Sequence, residues 1–235
     1  MAASYISTRG EAPAVGFEEV LLAGLAPDGG LYLPANWPRL ERDLRGLSYA
    51  DTAAAVLAPF TAGTFAEADL QRMARDVYAG FDHPATAPLR QLGHDQWLLE
   101  LFHGPTLAFK DFAMQLIGQL FQAALARRGE RICIVGATSG DTGSAAIEAF
   151  RGLDNVDVFI LFPEGRVSEV QRRQMTTPEE ANVHALAIEG DFDAAQARVK
   201  DMFNDHAFRD AVGLAAVNSI NWARVLAQTV YYMTA

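Results

Sequence analysis

In the second half of the chain, short apolar runs alternate with helix-like stretches, and this pattern limits the fold more than any other feature of the sequence. Three runs are apolar enough for buried strands, at residues 131–137, 156–162 and 182–190. A segment with apolar residues at helical spacing follows each of them. Buried strands separated by single helices predict β-α-β units with right-handed crossovers and a parallel sheet covered on both faces. We therefore predict an α/β fold, whose ligands bind at the carboxyl ends of the strands.

The first 95 residues lack this alternation and are divided by turns rich in proline and glycine. Helices are predicted between these turns, at residues 17–25, 48–60 and 64–78. Ser48 is the predicted cap of the second helix, and Thr64 with Glu67 is a predicted capping box at the third. The change of pattern along the chain predicts two domains, a small helical N-terminal domain over residues 1–95 and an α/β segment over residues 96–235.

Two further runs complete the predicted series of strands. The run at 97–102 is expected to be the first strand of the α/β series. The run at 213–218 is expected to lead into the last helix, at 221–233. Both runs are mostly apolar, as strands of a parallel sheet are.

Composition places the chain among globular proteins and argues against several function classes. Of the 235 residues, 50% are hydrophobic and 20% are charged, which is enough for a core and argues against disorder. The net charge of −10 argues against binding to the phosphates of nucleic acids or to anionic membranes. Cys133, the single cysteine, lies between two isoleucines and is predicted to be a buried thiol in a reducing compartment. With no signal-like N-terminus and no run of about 18 apolar residues, we predict a cytoplasmic protein.

Lysine is scarce, which draws attention to the position of each one. The 19 basic residues include only two lysines, Lys110 and Lys200. Lys110 lies near the start of a strongly apolar helix, after the turn residues 104–106. Desolvation and the positive end of a helix both favour the neutral amine that imine formation needs, although Asp111 opposes this in part. The alternative is a lysine whose stem only covers apolar surface.

The glycine-rich segment 136–143 lies between a predicted strand and a predicted helix, where backbone amides attract anions. It is neither a Walker A loop, because Asp141 and Thr142 stand where glycine and lysine are needed, nor a dinucleotide fingerprint, because Thr138 replaces a glycine. Its hydroxyl groups, with Ser139 among them, suit a carboxylate or a hydroxylated ring. The alternative is a tight turn whose glycines serve only a positive φ.

A third cluster of polar residues lies where the last predicted strand runs into the last helix. Its members are Asn218, Ser219, Asn221 and Arg224. Amide and hydroxyl donors at a helix start, with an arginine one turn in, suit a phosphate. The alternative is a capping cluster with a solvated arginine. No spacing of histidine, cysteine and acidic residues predicts a metal site.

Taken together, the motifs resemble those of the threonine synthase family of pyridoxal-phosphate enzymes. ELFHGPTLAFKDFA at 100–113 is followed at a fitting distance by VGATSGDTGSAA at 135–146. Four further segments are similar to the same family, at residues 5–10, 25–34, 162–175 and 217–232. The resemblance covers essentially the whole chain, and several motifs in the same order are far more specific than any single one.

The resemblance implies a fold-type II enzyme, similar to the tryptophan synthase β-subunit, that converts O-phospho-L-homoserine and water to L-threonine and phosphate. Lys110 matches the lysine that binds pyridoxal 5′-phosphate covalently and then acts as general acid and base. The residues that match the loop facing the cofactor and the substrate carboxylate are Thr138, Ser139, Gly140, Asp141 and Thr142. Related enzymes often carry asparagine in place of Asp141, so the partner of this carboxylate stays open. The cluster from Asn218 to Arg224 matches the site of the substrate phosphate.

The sequence departs from the family at its end. It stops at residue 235, whereas family members continue through a glycine-rich loop that binds the cofactor phosphate. A parallel sheet that ended within its domain would expose apolar surface and a strand edge. We therefore predict a truncated N-terminal portion of a threonine synthase. Two alternatives stay open, a threonine-synthase-like phospho-lyase for another phosphorylated amino acid and a non-catalytic fragment derived from the family.

Overall fold

The structure, a computed structural model, describes residues 2–215 and 221–235. It divides into two compact units. The N-terminal unit comprises Met1–Ile117 together with Ser219–Ala235, and the sheet unit comprises Gly118–Asn218. The predicted domain boundary at residue 95 stays a prediction.

Helices and strands alternate along most of the described chain. In chain order they are β1 (Tyr5–Ser7), α1 (Phe17–Ala23), β2 (Tyr32–Pro34), α2 (Tyr49–Leu57), α3 (Glu67–Tyr78), β3 (Leu89–Gly93), β4 (Gln96–Leu99), α4 (Asp111–Arg128), β5 (Ile132–Ala137), α5 (Asp141–Phe150), β6 (Val156–Pro163), α6 (Glu169–Thr176), β7 (Val183–Ile188), α7 (Phe192–Asn204), α8 (His206–Val212), β8 (Leu214–Ala215) and α9 (Trp222–Thr234). The short helix α8 follows α7 almost directly and lies in a stretch for which no helix of its own was predicted.

In the N-terminal unit, helices enclose a core rich in aromatic rings, and β1 pairs antiparallel with β2. The rings of Tyr49 and Tyr78 lie edge to face, with centroids 4.6 Å apart. The Tyr78 hydroxyl donates a hydrogen bond to the backbone carbonyl of Phe112, 2.8 Å away. This bond ties the end of α3 to the first turn of α4.

One of the two predicted helix caps in this unit is present. The Ser48 side chain accepts a hydrogen bond from the backbone N–H of Asp51, so the predicted cap of α2 is confirmed. The predicted capping box of Thr64 and Glu67 is wrong, because α3 begins at Glu67 itself. Thr64 lies in the preceding turn, where its backbone N–H donates a hydrogen bond to the carbonyl of Thr61 at 2.9 Å.

The sheet unit has the predicted α/β architecture. Its four parallel strands lie in the order β7-β6-β5-β8, and pairs such as Ile134 with Val158 set the register. On one face, Ala195 of α7 packs against Val135 and Leu161. The carboxyl end of β5, where α5 begins, is therefore the place at which a ligand loop is expected.

The run at 97–102 does not form the predicted first strand of the parallel series. Strand β4 pairs antiparallel with β3 in a separate two-stranded hairpin. The connection between the two strands is too short for a crossover, so it folds back as a hairpin. The hairpin also leaves apolar side chains in solvent, with Trp97 56% exposed.

Two other features of the described chain bear on the sequence predictions. The Cys133 thiol is half-buried and not fully enclosed as predicted, because Cys133 faces the sheet surface that α7 covers only in part. Within the described part of the chain, none of the helices combines the length and the apolar composition that crossing a bilayer requires.

Candidate active site

Lys110 is the last residue before α4, so its backbone opens the helix. Its carbonyl accepts the N–H of Met114 at 2.9 Å, which is the first hydrogen bond of the helical ladder. The side chain is half-buried. Its amino nitrogen lies 4.6 Å from the centroid of the Phe109 ring, a cation–π distance. The amine therefore belongs to the positive end of an 18-residue helix, as the sequence predicts.

Asp111 fixes the turn that carries Lys110. Its carboxylate is fully buried and accepts two hydrogen bonds from Thr106, from the backbone N–H at 2.8 Å and from the hydroxyl at 2.6 Å. Gly104 packs so closely that a Cβ there would lie 2.5 Å from the Asp111 Cβ. Burial raises the pKa of Asp111, while the bonds from Thr106 and the charge of Lys110 act in the opposite direction. The conformation of the turn thus depends on one buried carboxylate.

Leu107 lies within the same turn in the left-handed region of the backbone, with φ of 62°. Its side chain is 60% exposed, so packing does not explain the residue type. Side chains are disfavoured in this region, and such strain often accompanies functional sites.

The glycine-rich loop after β5 is organised around the Thr138 hydroxyl. This oxygen accepts the backbone N–H groups of Gly140 at 3.0 Å and Gly143 at 2.9 Å, and Thr138 is 2% exposed. Ser139 is exposed, and Thr142 is half-buried. Of the three hydroxyls predicted to contact a ligand, that of Thr138 therefore shapes the loop from within, and the other two are the more accessible.

Gly140 and Gly143, two of the three glycines in segment 136–143, have close neighbours where a side chain would begin. Gly140 has a φ of +148°, and a Cβ there would lie 2.1 Å from Oε1 of Gln171. A Cβ on Gly143 would lie 2.5 Å from the Thr138 methyl carbon and 2.9 Å from Sδ of Met175. Gly143 is therefore required by close approach, whereas the positive φ is the stronger constraint at Gly140, so the alternative of a tight turn describes part of the role of these glycines.

Helix α6 contributes a contact that sequence reasoning missed. The four-residue pattern from Ser168 to Gln171 is typical of a helix start, and Ser168 does cap α6. The pattern gives no indication that the Gln171 side chain reaches Gly140 in a loop far away along the chain. Only the packing of α6 against α5 brings the two together.

Of the third predicted cluster, Asn218 and Ser219 lie outside the described residues. The Asn221 amide donates to the carbonyls of Val20 at 3.0 Å and Leu21 at 3.2 Å. Its oxygen accepts the N–H of Ala223 and so caps α9. Both amide hydrogens of Asn221 are engaged within the protein. Asn221 therefore has a structural role, and its predicted role in phosphate binding stays a prediction.

Arg224 lies one turn into α9 and is 2% exposed, so the alternative of a solvated arginine is wrong. It belongs to the N-terminal unit, as do Lys110 and Asn221, whereas the loop residues 138–142 belong to the sheet unit. Burial raises the pKa of Tyr231 to about 12, and the positive charge of Arg224 opposes this rise. An arginine buried at this depth is typical of a structural or ligand-binding role, since buried charges are kept only where they are compensated.

Comparison with known proteins places this arrangement of residues in a family. The sequence model described as "Threonine synthase N terminus" matches residues 4–78. The sequence model described as "Pyridoxal-phosphate dependent enzyme" matches residues 83–234, which is more than half of the chain. The chain belongs to the pyridoxal-phosphate dependent enzyme family.

Individual relatives in this family agree with the predicted resemblance to threonine synthases. A threonine synthase of Pseudomonas aeruginosa is 59% identical over 98% of this chain and 50% of its own length. A rat protein named threonine synthase-like 2 is 41% identical over 98% of this chain and 49% of its own length. The crystal structure of a PLP-bound threonine synthase from Brucella melitensis superposes with a TM-score of 0.95 at 60% identity, over 99% of this chain and 51% of the other. The resemblance and the α/β fold are confirmed, and the chain spans about half the length of the relatives it matches.

The residues present fit pyridoxal phosphate, the cofactor of this family. A half-buried primary amine at a helix start is the group that binds an aldehyde covalently. The glycine-rich loop before α5 offers backbone amides at a helix N-terminus.

Proposed function

We propose that this chain carries the catalytic lysine and the carboxylate-binding loop of a threonine synthase, which converts O-phospho-L-homoserine and water to L-threonine and phosphate. The observation that carries the proposal is the placement of Lys110 at the start of α4 by the buried pair of Asp111 and Thr106. This placement lies within the motif that matches the family. The cytoplasmic location stays a proposal that rests on the single cysteine, which is typical of a reducing compartment.

Lys110 has two proposed roles. Its amine holds pyridoxal phosphate covalently, and it is the general acid and base once substrate has displaced it. When bound, the cofactor supplies an electron sink for the negative charge that develops on the substrate. Lys110 then moves protons at Cα and Cβ while phosphate leaves from Cγ and water adds at Cβ. The turn held by Asp111 orients the amine for these transfers.

The loop from Thr138 to Thr142 is proposed to bind the substrate carboxylate and to face the cofactor. Ser139 and Thr142 supply accessible hydroxyls, and the backbone amides at the start of α5 supply positive partial charge. Thr138 contributes indirectly, because its oxygen already accepts the N–H groups of Gly140 and Gly143. Asp141 lies in the first turn of α5, and we propose that its carboxylate accepts a hydrogen bond from the ring hydroxyl of the cofactor when the cofactor is bound.

The substrate phosphate is proposed to bind Asn218, Ser219 and Arg224, with Asn221 holding the start of α9 in place. A buried guanidinium forms strong, directional hydrogen bonds to phosphate. The second candidate function is a phospho-lyase for another phosphorylated amino acid. It stays open because a cluster that binds phosphate does not distinguish among phosphorylated amino acids. The half-length match keeps the non-catalytic fragment open as well.

Borohydride trapping tests the role of Lys110. The purified chain is mixed with pyridoxal phosphate, reduced with borohydride and digested, and the labelled peptide is identified by mass spectrometry. We expect the label on Lys110 and its loss in Lys110→Ala. Lys200→Ala is the matched control, because Lys200 is the other lysine of the chain and is exposed. Label on Lys200, or equal label in both variants, would contradict the proposal.

Product analysis tests the substrate. The chain is assayed with O-phospho-L-homoserine, alone and together with the C-terminal half of the Pseudomonas aeruginosa relative. Threonine and phosphate in equal amounts support the synthase. Phosphate without threonine supports the phospho-lyase, and label on Lys110 with neither product in the complemented assay supports the non-catalytic fragment.

A further inference from the structure

Helix α6 packs against the glycine-rich loop through two side chains on one face. Gln171 and Met175 are four residues apart, so they project from the same side of the helix. Met175 is 1% exposed and closes the space beside Gly143. Gln171 is half-buried and occupies the space where a Cβ of Gly140 would lie. The loop is thus held from the α6 side by these two residues.

The Gln171 amide has a fixed orientation. The Ser168 hydroxyl donates to Oε1 of Gln171 at 3.0 Å, and the same hydroxyl accepts the backbone N–H of Gln171 at 3.3 Å. Ser168 is the N-cap of α6, so the side chain that contacts Gly140 is anchored at the rigid end of its own helix. This hydrogen bond restricts the rotamers of the Gln171 side chain, which lowers the entropy cost of holding a neighbour in place.

Gly140 is restrained on its remaining sides by its own loop and by α5. Its N–H bonds to the Thr138 hydroxyl, and its carbonyl accepts the Ser144 hydroxyl at 3.2 Å and the Ser144 N–H at 3.1 Å. Every polar backbone group of Gly140 is therefore engaged, and its Cα faces Gln171. The direction of the neighbouring amides, at Ser139 and Asp141, follows from these contacts.

We propose that Gln171 is a positioning residue for the carboxylate site of the loop. By filling the space at Gly140, it keeps the loop amides and the hydroxyls of Ser139 and Thr142 at the spacing that a carboxylate requires. The inference rests on the proposed function for the identity of the ligand. Its structural part, that Gln171 holds the loop, is independent of any ligand.

The first experiment measures the loop in the purified chain without ligand. Hydrogen–deuterium exchange of residues 138–144 is compared in wild type, Gln171→Ala, Gln171→Met and the control Val170→Ala, whose residue is 63% exposed on the same helix. We expect exchange about tenfold faster in Gln171→Ala. Gln171→Met keeps the volume and should restore most of the protection, and the control should match wild type.

The second experiment measures the consequence for the ligand in the complemented enzyme. We expect Gln171→Ala to raise KM for O-phospho-L-homoserine about tenfold and to lower kcat less than about threefold, because a misplaced carboxylate site weakens binding more than it affects Lys110. Borohydride labelling of Lys110 should be unchanged in this variant, and Gln171→Met should recover most of the KM.

The outcomes separate this inference from the proposed function. Unchanged loop exchange in Gln171→Ala would overturn the inference, and so would faster exchange spread over all of α6, since that would show loss of the helix. A fall in kcat with unchanged KM would also overturn it. Failure of wild type to label Lys110, with loop exchange still faster in Gln171→Ala, would refute the proposed function and leave the role of Gln171 in holding the loop supported.

Discussion

The turn before α4 and the loop before α5 do the same structural task with different chemistry. Each leads a chain segment to the positive end of a helix. Each is held by one buried side chain that accepts two hydrogen bonds, from a backbone N–H and a hydroxyl in the turn and from two backbone N–H groups in the loop. In the turn the acceptor is the Asp111 carboxylate, and in the loop it is the Thr138 hydroxyl.

The choice of acceptor follows from the charge that each segment is proposed to handle. The turn carries an amine, and a carboxylate next to it adds an attractive charge at the cost of desolvation, which raises the pKa of Asp111. The loop is proposed to hold an anion, so a buried carboxylate there would repel the ligand. A neutral hydroxyl holds the loop without adding a second carboxylate beside Asp141, and the Gln171 side chain packs against the loop at Gly140.

Removing the carboxylate of the turn should have the largest effect on stability. We expect Asp111→Ala to lower the free energy of unfolding by about 3 kcal/mol, because both donors of Thr106 lose their partner in a buried site. Asp111→Asn keeps one acceptor oxygen, so its free energy of unfolding should fall by less. Urea unfolding measures both. The control is Asp95→Ala, whose side chain is 89% exposed and which should change stability by less than about 0.5 kcal/mol. An equal loss of unfolding free energy in Asp111→Ala and Asp95→Ala would show that the buried carboxylate does not hold the turn.

Removing the Thr138 hydroxyl should lower the free energy of unfolding by less than removing the Asp111 carboxylate, and its effect should be confined to the loop. We expect Thr138→Val to lower the free energy of unfolding by about 2 kcal/mol, since the N–H groups of Gly140 and Gly143 lose their acceptor while the volume is kept. Exchange of these two amides should accelerate before that of β5. Thr138→Ser keeps the oxygen and should retain most of the stability. If valine were tolerated as well as serine, the hydroxyl would not be what organises the loop.

The sequence predicts the strands and the position of the glycine-rich loop, but it does not predict the contacts between distant segments. Continuous apolar runs predict β5, β6 and β7, and from them the position of the loop at the end of β5, because strand burial depends on local composition. The cap of α2 is likewise a local pattern. The contact of Gln171 with Gly140 depends on how α6 packs, and the antiparallel hairpin of β3 and β4 depends on which partner strand 97–102 finds. Such choices are made by tertiary packing, which local patterns do not encode.

The smallest expected effect concerns backbone strain at Leu107. It tests whether the turn before α4 keeps this residue in a conformation that leucine disfavours. Leu107 has a φ of 62° and an exposed side chain. Leu107→Gly removes the steric penalty of the left-handed region but adds freedom to the unfolded chain, so we expect a net gain in stability of about 0.5 kcal/mol. Leu107→Ala keeps the penalty and should leave the unfolding midpoint unchanged. A loss of stability in the glycine variant would show that the Leu107 side chain stabilises the turn. A gain accompanied by weaker labelling of Lys110 would instead show that the strained backbone, together with Asp111, directs the amine.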